Sequence, residues 1–234
     1  MTSGGSTFRD WLGRTEEVNP RSWLVGLVVA LLGWQVSFQA PVYGLDPSWW
    51  SGLYMASHEK MRFGTEIVFT YGPLGILREP WLFYPGLLSL IPFLYKAALF
   101  TGFCIALVAV LRRRIGWLFA ALAALLLLLL LRQIELAVAI SMLVSILIIE
   151  RSPDDRVMPF LAIGGGLLAG IEMLGKLSAG PVVAVVLLLG LIGAHARMRD
   201  LIAYGAALVV SMGAFWLVTG QSLGDLPDFV SNSF

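Results

Sequence analysis

Charge is scarce in this sequence. Only 13% of its 234 residues are charged, against roughly 25% in an ordinary soluble domain, whereas 58% are hydrophobic. This composition does not suit a soluble protein, and a lipid bilayer is the solvent that fits it. Because lipid offers no hydrogen-bond partner to an open backbone, the apolar stretches are predicted to be α-helices.

Cysteines and clustered basic residues are also few. The single cysteine, Cys104, lies within an apolar run, so neither an internal disulfide nor a cysteine-type metal site can form, and we predict that it is packed or faces lipid. No basic cluster alternates with stacking aromatic residues, as nucleic-acid binding would require. Nucleic acid is therefore not expected as a partner, and no metal site is predicted.

The apolar stretches are close to the length of membrane spans. A crossing needs about 20 apolar residues. We predict an all-α fold, a polytopic transmembrane helical bundle of about seven spans with a large external first loop that carries an interfacial helix. The predicted order is a cytoplasmic N-terminal segment at 1–22, a first span at 23–40, an external loop at 41–91, six further spans within 92–218, and an external tail at 219–234.

Two long apolar stretches are predicted to be hairpins. Residues 115–149 would form a helix of about 52 Å, too long for one crossing. Polar breaks at 132–135 and 172–181 are the predicted turns, and the arginines at 112–114 mark a cytoplasmic end. This orientation puts the N-terminus in the cytoplasm. The preference for arginine over lysine, 13 to 3, suggests a bacterial genome, so a bacterial cytoplasmic (inner) membrane is expected. Since the chain ends after an odd span, we expect it to continue in a longer protein.

Glycines at 164–166 and 170 lie inside a predicted span. No strand precedes them, as a dinucleotide-binding motif would require. Small residues allow helices in a membrane to approach closely, so we predict that these glycines serve helix packing.

The external loop begins with a helix start at Asp46 and Pro47. Asp is favoured as an N-cap and Pro at the first helical position, so a helix is predicted from there to about Met61, lying on the membrane interface. Asp46 has two possible roles. As a cap it would contribute about 1 kcal/mol, and as an external carboxylate it would take a proton from an acceptor hydroxyl as a general base.

Two further polar residues of the loop are candidates. Glu66 is a possible second catalytic acid, or a solvated surface charge. His58 cannot form a metal site alone, because a zinc site needs several ligands. It remains a candidate for lining a substrate.

The charges at the two breaks also allow two interpretations. Glu172 and Lys176 are four residues apart, and Arg132 and Glu135 three apart, so each pair can neutralise itself locally. Alternatively, both breaks lie at the same face as Asp46 and Glu66 and form one site with them. Arg132 and Lys176 would then hold a phosphate, the arginine as a bidentate fork and the lysine as a point charge.

The loop carries a recognisable order of residues: Asp46, Trp49, Phe63-Gly64, Glu66 and Tyr71-Gly72-Pro73-Leu74. This stretch of about 35 residues resembles the first external loop of GT-C type membrane glycosyltransferases, most of all the protein-mannosyltransferase and aminoarabinose-transferase branch. Asp46 matches the first acidic position of that family and Gly72-Pro73-Leu74 its later motif. Pro47 stands at the second acidic position, so a dependence on a divalent metal stays open.

The resemblance implies an enzyme that transfers a sugar from a polyprenyl-phosphate donor to a glycan, lipid or protein acceptor outside the membrane. Asp46 and Glu66 would be catalytic, Arg132 and Lys176 would bind the donor phosphate, and Trp49, His58, Tyr71 and Pro73 would line the substrate. No soluble nucleotide cofactor is needed, because the lipid-linked sugar donor carries its own leaving group.

Two other functions compete with this one. A transporter or flippase would show paired charges in broken helices near the bilayer midplane. A non-catalytic membrane scaffold subunit is the other alternative, and it is favoured if Asp46 serves only as a helix cap.

Overall fold

The computed structural model describes residues 21–84, 86–130 and 135–232. Within these ranges the chain forms nine α-helices, two short 3-10 turns at Gly75–Arg78 and Leu223–Asp225, and no strand. The helices are α1 (Arg21–Leu32), α2 (Leu45–His58), α3 (Leu87–Arg112), α4 (Trp117–Leu130), α5 (Leu136–Ile149), α6 (Met158–Gly175), α7 (Gly180–Gly193), α8 (Met198–Val218) and α9 (Leu226–Asn232). The all-α prediction is therefore confirmed over the described part of the chain.

Three helices, α3, α6 and α8, are long and apolar enough to cross a membrane. Four more apolar helices, α1, α4, α5 and α7, have only 12 or 14 residues. A helix rises about 1.5 Å per residue, so 14 residues cover about 21 Å, less than the roughly 30 Å of hydrocarbon. The long apolar helices indicate a membrane protein.

The first helix covers only the first part of the predicted span, 23–40. The helix α1 ends at Leu32, and the chain after it is bonded to other segments instead of continuing the helix. Gln35 donates from Nε2 to the carbonyl oxygen of Leu128 at 2.7 Å. The backbone of Gln39 pairs with residues 80–82, and Pro41 disfavours the helical conformation of the residue before it.

The turns between the helices lie at two opposite ends of the bundle, and ion pairs connect the turns at each end. At one end, named the basic end, Arg113 pairs with Glu150 and Arg197 with Asp154, which links the turns after α3, α5 and α7. At the opposite end, named the loop end, Glu135 before α5 and the turn after α6 contact each other and residues 70–78. The apolar helices from α3 to α8 therefore run alternately in opposite directions.

Close packing of α6 on α8 depends on two glycines. A Cβ at Gly166 would overlap the carbonyl oxygen of Tyr204, and one at Gly170 would overlap Ser211 Oγ. The prediction that small residues serve helix packing is confirmed at these two positions. Cys104 is fully buried, so it packs inside the bundle and does not face lipid.

The long loop, residues 33–84, contains the helix α2. The N-cap of α2 is Gly44, whose φ of 142° favours glycine. Asp46 is the second helical residue, so its predicted role as the N-cap is wrong. The helix ends at His58, three residues before the predicted Met61.

Hydrogen bonds and an ion pair connect the segment after α8 to the long loop. Gln221 accepts from the backbone amide of Phe63 at 2.9 Å and donates to the carbonyl oxygen of Met61 at 3.0 Å. Arg62 forms a two-pronged pair with Asp225. These contacts place residues 221–232 at the loop end.

Candidate functional site

The motif at residues 70–75 is bonded to the break between α6 and α7. The amide of Leu74 donates to the carbonyl oxygen of Leu174 at 3.1 Å, and the amide of Leu177 donates to the carbonyl oxygen of Thr70 at 2.9 Å. The motif and the break therefore form one unit of backbone structure. This unit fixes Tyr71 of the motif relative to Lys176 of the break.

Four aromatic rings cover this unit. Trp49 and Trp50 come from α2, and Phe69 and Tyr71 from the motif. The ring centroids of Trp49 and Tyr71 are 4.7 Å apart, those of Trp50 and Tyr71 5.3 Å, and those of Phe69 and Tyr71 5.4 Å. All but Tyr71 are half-buried. In this aromatic surface (Trp49, Trp50, Phe69, Tyr71), the three partly exposed rings offer apolar area on which a sugar or a lipid chain can pack, and Tyr71 lies buried against them.

Lys176 lies beside the aromatic surface. Its ammonium is 5.1 Å from the ring centroid of Tyr71, within the range of a cation–π contact. It also donates to Glu135 Oε1 at 3.0 Å. A cation, a carboxylate and an aromatic face are thus in contact at the loop end.

Arg78 extends this cluster into the protein. Its guanidinium binds Glu135 through Nη1 and Glu172 Oε2 through Nη2, the latter at 2.7 Å. Glu172 is almost completely buried, with 3% of its side chain exposed, and its Oε1 accepts from the Tyr95 hydroxyl at 2.6 Å. We name Arg78, Tyr95, Glu135, Glu172 and Lys176 the charged cluster.

Local pairing of Glu172 with Lys176 is therefore not observed. Although the two residues are four apart, the helix α6 ends at Gly175 and Lys176 is its C-cap, so the two side chains do not share a helical face. Glu172 binds Arg78 and Tyr95, whereas Lys176 binds Glu135. The two breaks converge as the alternative interpretation predicted, at least through Glu135 and Lys176.

The other predicted site residues have different outcomes. Arg132 lies outside the described residues, as does the side chain of Asp46, whose backbone begins the first turn of α2 three residues before Trp49. Glu66 is exposed and accepts from the backbone amide of Arg62 at 2.7 Å, closing a local turn. The structure thus brings Glu66 to Arg62.

Of the predicted substrate-lining residues, Trp49 and Tyr71 belong to the aromatic surface. Pro73 is buried within the motif. His58 lies at the end of α2, with its ring stacked on Tyr84 at 4.1 Å and its Nδ1 3.1 Å from Glu59. His58 and Trp49 lie towards opposite ends of α2, so His58 does not belong to the aromatic surface.

Both groups of the Lys176–Glu135 pair are held in their charged forms. Burial opposes ionisation of Glu135, but the charge of Arg78 and the hydrogen bond from Lys176 outweigh it and lower the pKa of Glu135. Burial also disfavours the Lys176 ammonium, yet its hydrogen bond with Glu135 is among the interactions that outweigh burial and raise its pKa. The pair is therefore ionic at neutral pH.

Sequence reasoning missed Arg78 and Tyr95. Arg78 is separated by 57 residues from Glu135 and by 94 from Glu172, so no local spacing connects them. The available signal was an arginine directly after the apolar residues Ile76 and Leu77, because a charge placed beside buried residues needs a partner. Tyr95 lies on α3 in an otherwise apolar run and gave no comparable signal.

The described residues contain no group of three or more His, Cys, Asp or Glu side chains that could hold a metal ion. No protein-family model, no curated protein and no solved structure matches the chain. The arrangement of its own residues therefore carries the functional argument.

Proposed function

We propose that this chain is a membrane glycosyltransferase, or part of one, which moves a sugar from a polyprenyl-phosphate donor to an acceptor at the external face of a bacterial cytoplasmic membrane. One observation carries the proposal, the contact of Lys176 with the aromatic surface at Tyr71. A sugar linked to a lipid phosphate presents a ring to stack on aromatic faces and an anion to a cation. This contact places both kinds of partner side by side.

The proposed orientation puts the loop end outside. Seven apolar helices cross the membrane, the shorter ones where the protein thins the bilayer, and the N-terminus is cytoplasmic. The basic end carries arginines 112–114, 151, 156, 197 and 199. The positive-inside rule supports a cytoplasmic position for these short turns.

Asp46 is the proposed general base and Glu66 a second acid. Asp46 lies in the first turn of the helix that presents Trp49 and Trp50, so its backbone is close to the aromatic surface. A base in this position would remove the proton of the acceptor hydroxyl while the lipid phosphate departs. Positioned general bases contribute about 10²- to 10⁴-fold to the rate. Lys176, together with Arg132, which precedes α5 in the sequence, would hold the phosphate.

A scaffold function is the second candidate, and one observation favours it. Arg78, Lys96 and Lys176 are each paired with a glutamate, as expected if the charges only hold segments together. A transporter has less support, because Arg78 ends a 3-10 turn and Lys176 is the C-cap of α6, so neither lies in a broken helix at the midplane.

The test is transfer of labelled sugar from a panel of polyprenyl-phosphate donors by the purified protein in its longest form. Asp46→Asn should lose at least about 100-fold of the activity, whereas Asp154→Asn, at the basic end, should keep it. Undetectable transfer by the wild type across the panel would favour the scaffold. Full activity of Asp46→Asn would leave the reaction class standing and remove Asp46 as its base.

A further inference from the structure

Glu135 holds two cations at once. Its Oε1 accepts from Lys176 Nζ at 3.0 Å and its Oε2 binds Arg78 Nη1. The two cations come from different parts of the chain, one from the 3-10 turn at Gly75–Arg78 and one from the break after α6. The carboxylate of Glu135 therefore lies between Lys176 and Arg78 and binds one of them through each oxygen.

The two glutamates of the charged cluster differ in a way that separates their roles. Glu172 is almost fully buried, and both of its oxygens are used, by Arg78 and by Tyr95. Glu135 has 45% of its side chain exposed. Glu172 therefore fixes the guanidinium of Arg78 from the inside, while Glu135 approaches from the solvent side.

The side chain of Glu135 does not cap its own helix, although its backbone carbonyl accepts from the amide of Ala139 at 3.0 Å. Glu135 is the N-cap of α5, where a side chain commonly accepts from the first amides of the helix, but its side chain makes no such bond. Its carboxylate is directed to Arg78 and Lys176 instead. In addition, Nε of Arg78 is buried and has no hydrogen-bond partner among the described residues.

We propose that Arg78 and Lys176 form a binding site for a phosphate group. The carboxylate of Glu135 occupies this site in the free protein, and a phosphate displaces it. The phosphodiester of a lipid-linked sugar offers the same paired oxygens with the same charge, and a lipid phosphate monoester adds a further free oxygen for the remaining donors. Glu135 is thereby a competitor built into the chain. This inference rests on the proposed function for its ligand class, a phosphate carried by a lipid.

Glu135 stabilises the free protein by compensating the charges of Arg78 and Lys176. Two cations brought together without an anion repel each other, and burying an unpaired charge is costly. Glu135 removes this cost in the free protein, and its exposure lets it swing into water when a phosphate arrives. Glu172 keeps Arg78 in place throughout.

The test is equilibrium binding to the full chain in detergent, with three probes: a polyprenyl monophosphate, the matching uncharged polyprenol, and inorganic phosphate. Glu135→Gln should bind the lipid phosphate about tenfold more tightly than the wild type, and Lys176→Gln about tenfold more weakly. The matched controls, Glu79→Gln and Lys96→Gln, alter an ion pair on a neighbouring part of the loop end and should leave the affinity unchanged.

The outcomes are distinct. Opposite effects of Glu135→Gln and Lys176→Gln, absent with polyprenol, support the site, and the inorganic phosphate probe shows whether the lipid chain is needed for it. Equal weakening by both variants, or no change in either, overturns it. Binding that follows the expected order without any sugar transfer would overturn the proposed enzyme activity alone, and transfer with unchanged affinities would overturn only the phosphate site.

Discussion

Gly72 lies directly against the backbone of Leu174. A Cβ added at Gly72 would overlap the carbonyl oxygen of Leu174 and lie 2.7 Å from Cζ of the buried Phe229. The long loop, the end of α6 and the helix α9 therefore meet at one glycine. No rotamer change can relieve an overlap with a backbone oxygen, so the backbones themselves must separate.

Gly72→Ala is accordingly expected to destabilise the protein by about 1–3 kcal/mol, the usual cost of overpacking. The measurement is the midpoint of thermal unfolding in detergent, followed by tryptophan fluorescence. Gly52→Ala is the matched control, because no atom lies within 4 Å of its added Cβ and it stands inside the helix α2. Alanine there should raise stability slightly. An unchanged midpoint for Gly72→Ala would contradict the close approach.

Glu172 is expected to be the most sensitive carboxylate of the charged cluster. Glu172→Gln removes the charge that compensates the largely buried Arg78, and breaking a buried ion pair costs about 3–5 kcal/mol. Because Glu135 still binds Arg78, we expect about 3 kcal/mol. Glu59→Gln is the control, since Glu59 is exposed and such changes stay within about 0.5 kcal/mol.

A double-mutant cycle tests the same cluster further. Tyr95 donates to Glu172, so Tyr95→Phe should cost less in the Glu172→Gln background than in the wild type. Strictly additive effects would mean that the two side chains do not interact in the folded protein.

The Arg62–Asp225 pair should make the free energy of unfolding depend on pH in the acidic range. The hydrogen bonds from Arg62 hold the pKa of Asp225 below its ordinary value of 3.8. The unfolded chain then binds a proton more readily, so the pair stabilises the fold fully above about pH 4, and this contribution disappears as the pH falls through the folded pKa. Asp225→Asn should therefore be less stable than wild type at about pH 6, with a difference that shrinks towards about pH 2.

Arg62→Gln provides the control for this dependence. It removes the partner while keeping Asp225, so it should flatten the same part of the pH profile. If the difference between wild type and Asp225→Asn were constant from about pH 6 to about pH 2, the low pKa of Asp225 would be wrong.

The sequence predicted those parts of the fold that depend on local pattern. Apolar runs and polar breaks located the helices from α3 to α8, and Gly166 and Gly170 were correctly assigned to helix packing. The end of α1 was missed because Gln35 and Gln39 bond to Leu128 and to residues 80–82, which are distant in sequence. The partners of Glu172 were missed for the same reason. Where a polar or charged side chain can reach a distant segment, its partner there cannot be predicted from residues nearby in the sequence.

Of the candidate site, the sequence located Trp49, Tyr71 and Lys176 as separate residues. Their contact could not be derived, because it depends on the backbone bonds between residues 70–75 and 174–177. The catalytic roles of Asp46 and Glu66 stay predictions. Glu66 in particular is used in a turn with Arg62, so its second role would need the long loop to rearrange.

The alternating helices allow a direct test of topology. With Cys104 changed to serine, Thr65→Cys places a single exposed thiol on the long loop and Ser152→Cys places one at the basic end. In intact cells a membrane-impermeant maleimide should label Thr65→Cys and leave Ser152→Cys unlabelled until the membrane is opened. This result is expected because Thr65 and Ser152 lie at opposite ends of helices that are proposed to cross the bilayer.

The pair of labels separates an error in orientation from an error in span count. If only Ser152→Cys is labelled in intact cells, the orientation is reversed, and the proposed transfer would have to occur on the cytoplasmic side. Labelling of both thiols would mean that the helices between residues 65 and 152 cross an even number of times. The short helices α4 and α5 would then have to be reassigned, because α3 is the only helix of spanning length described between the two sites.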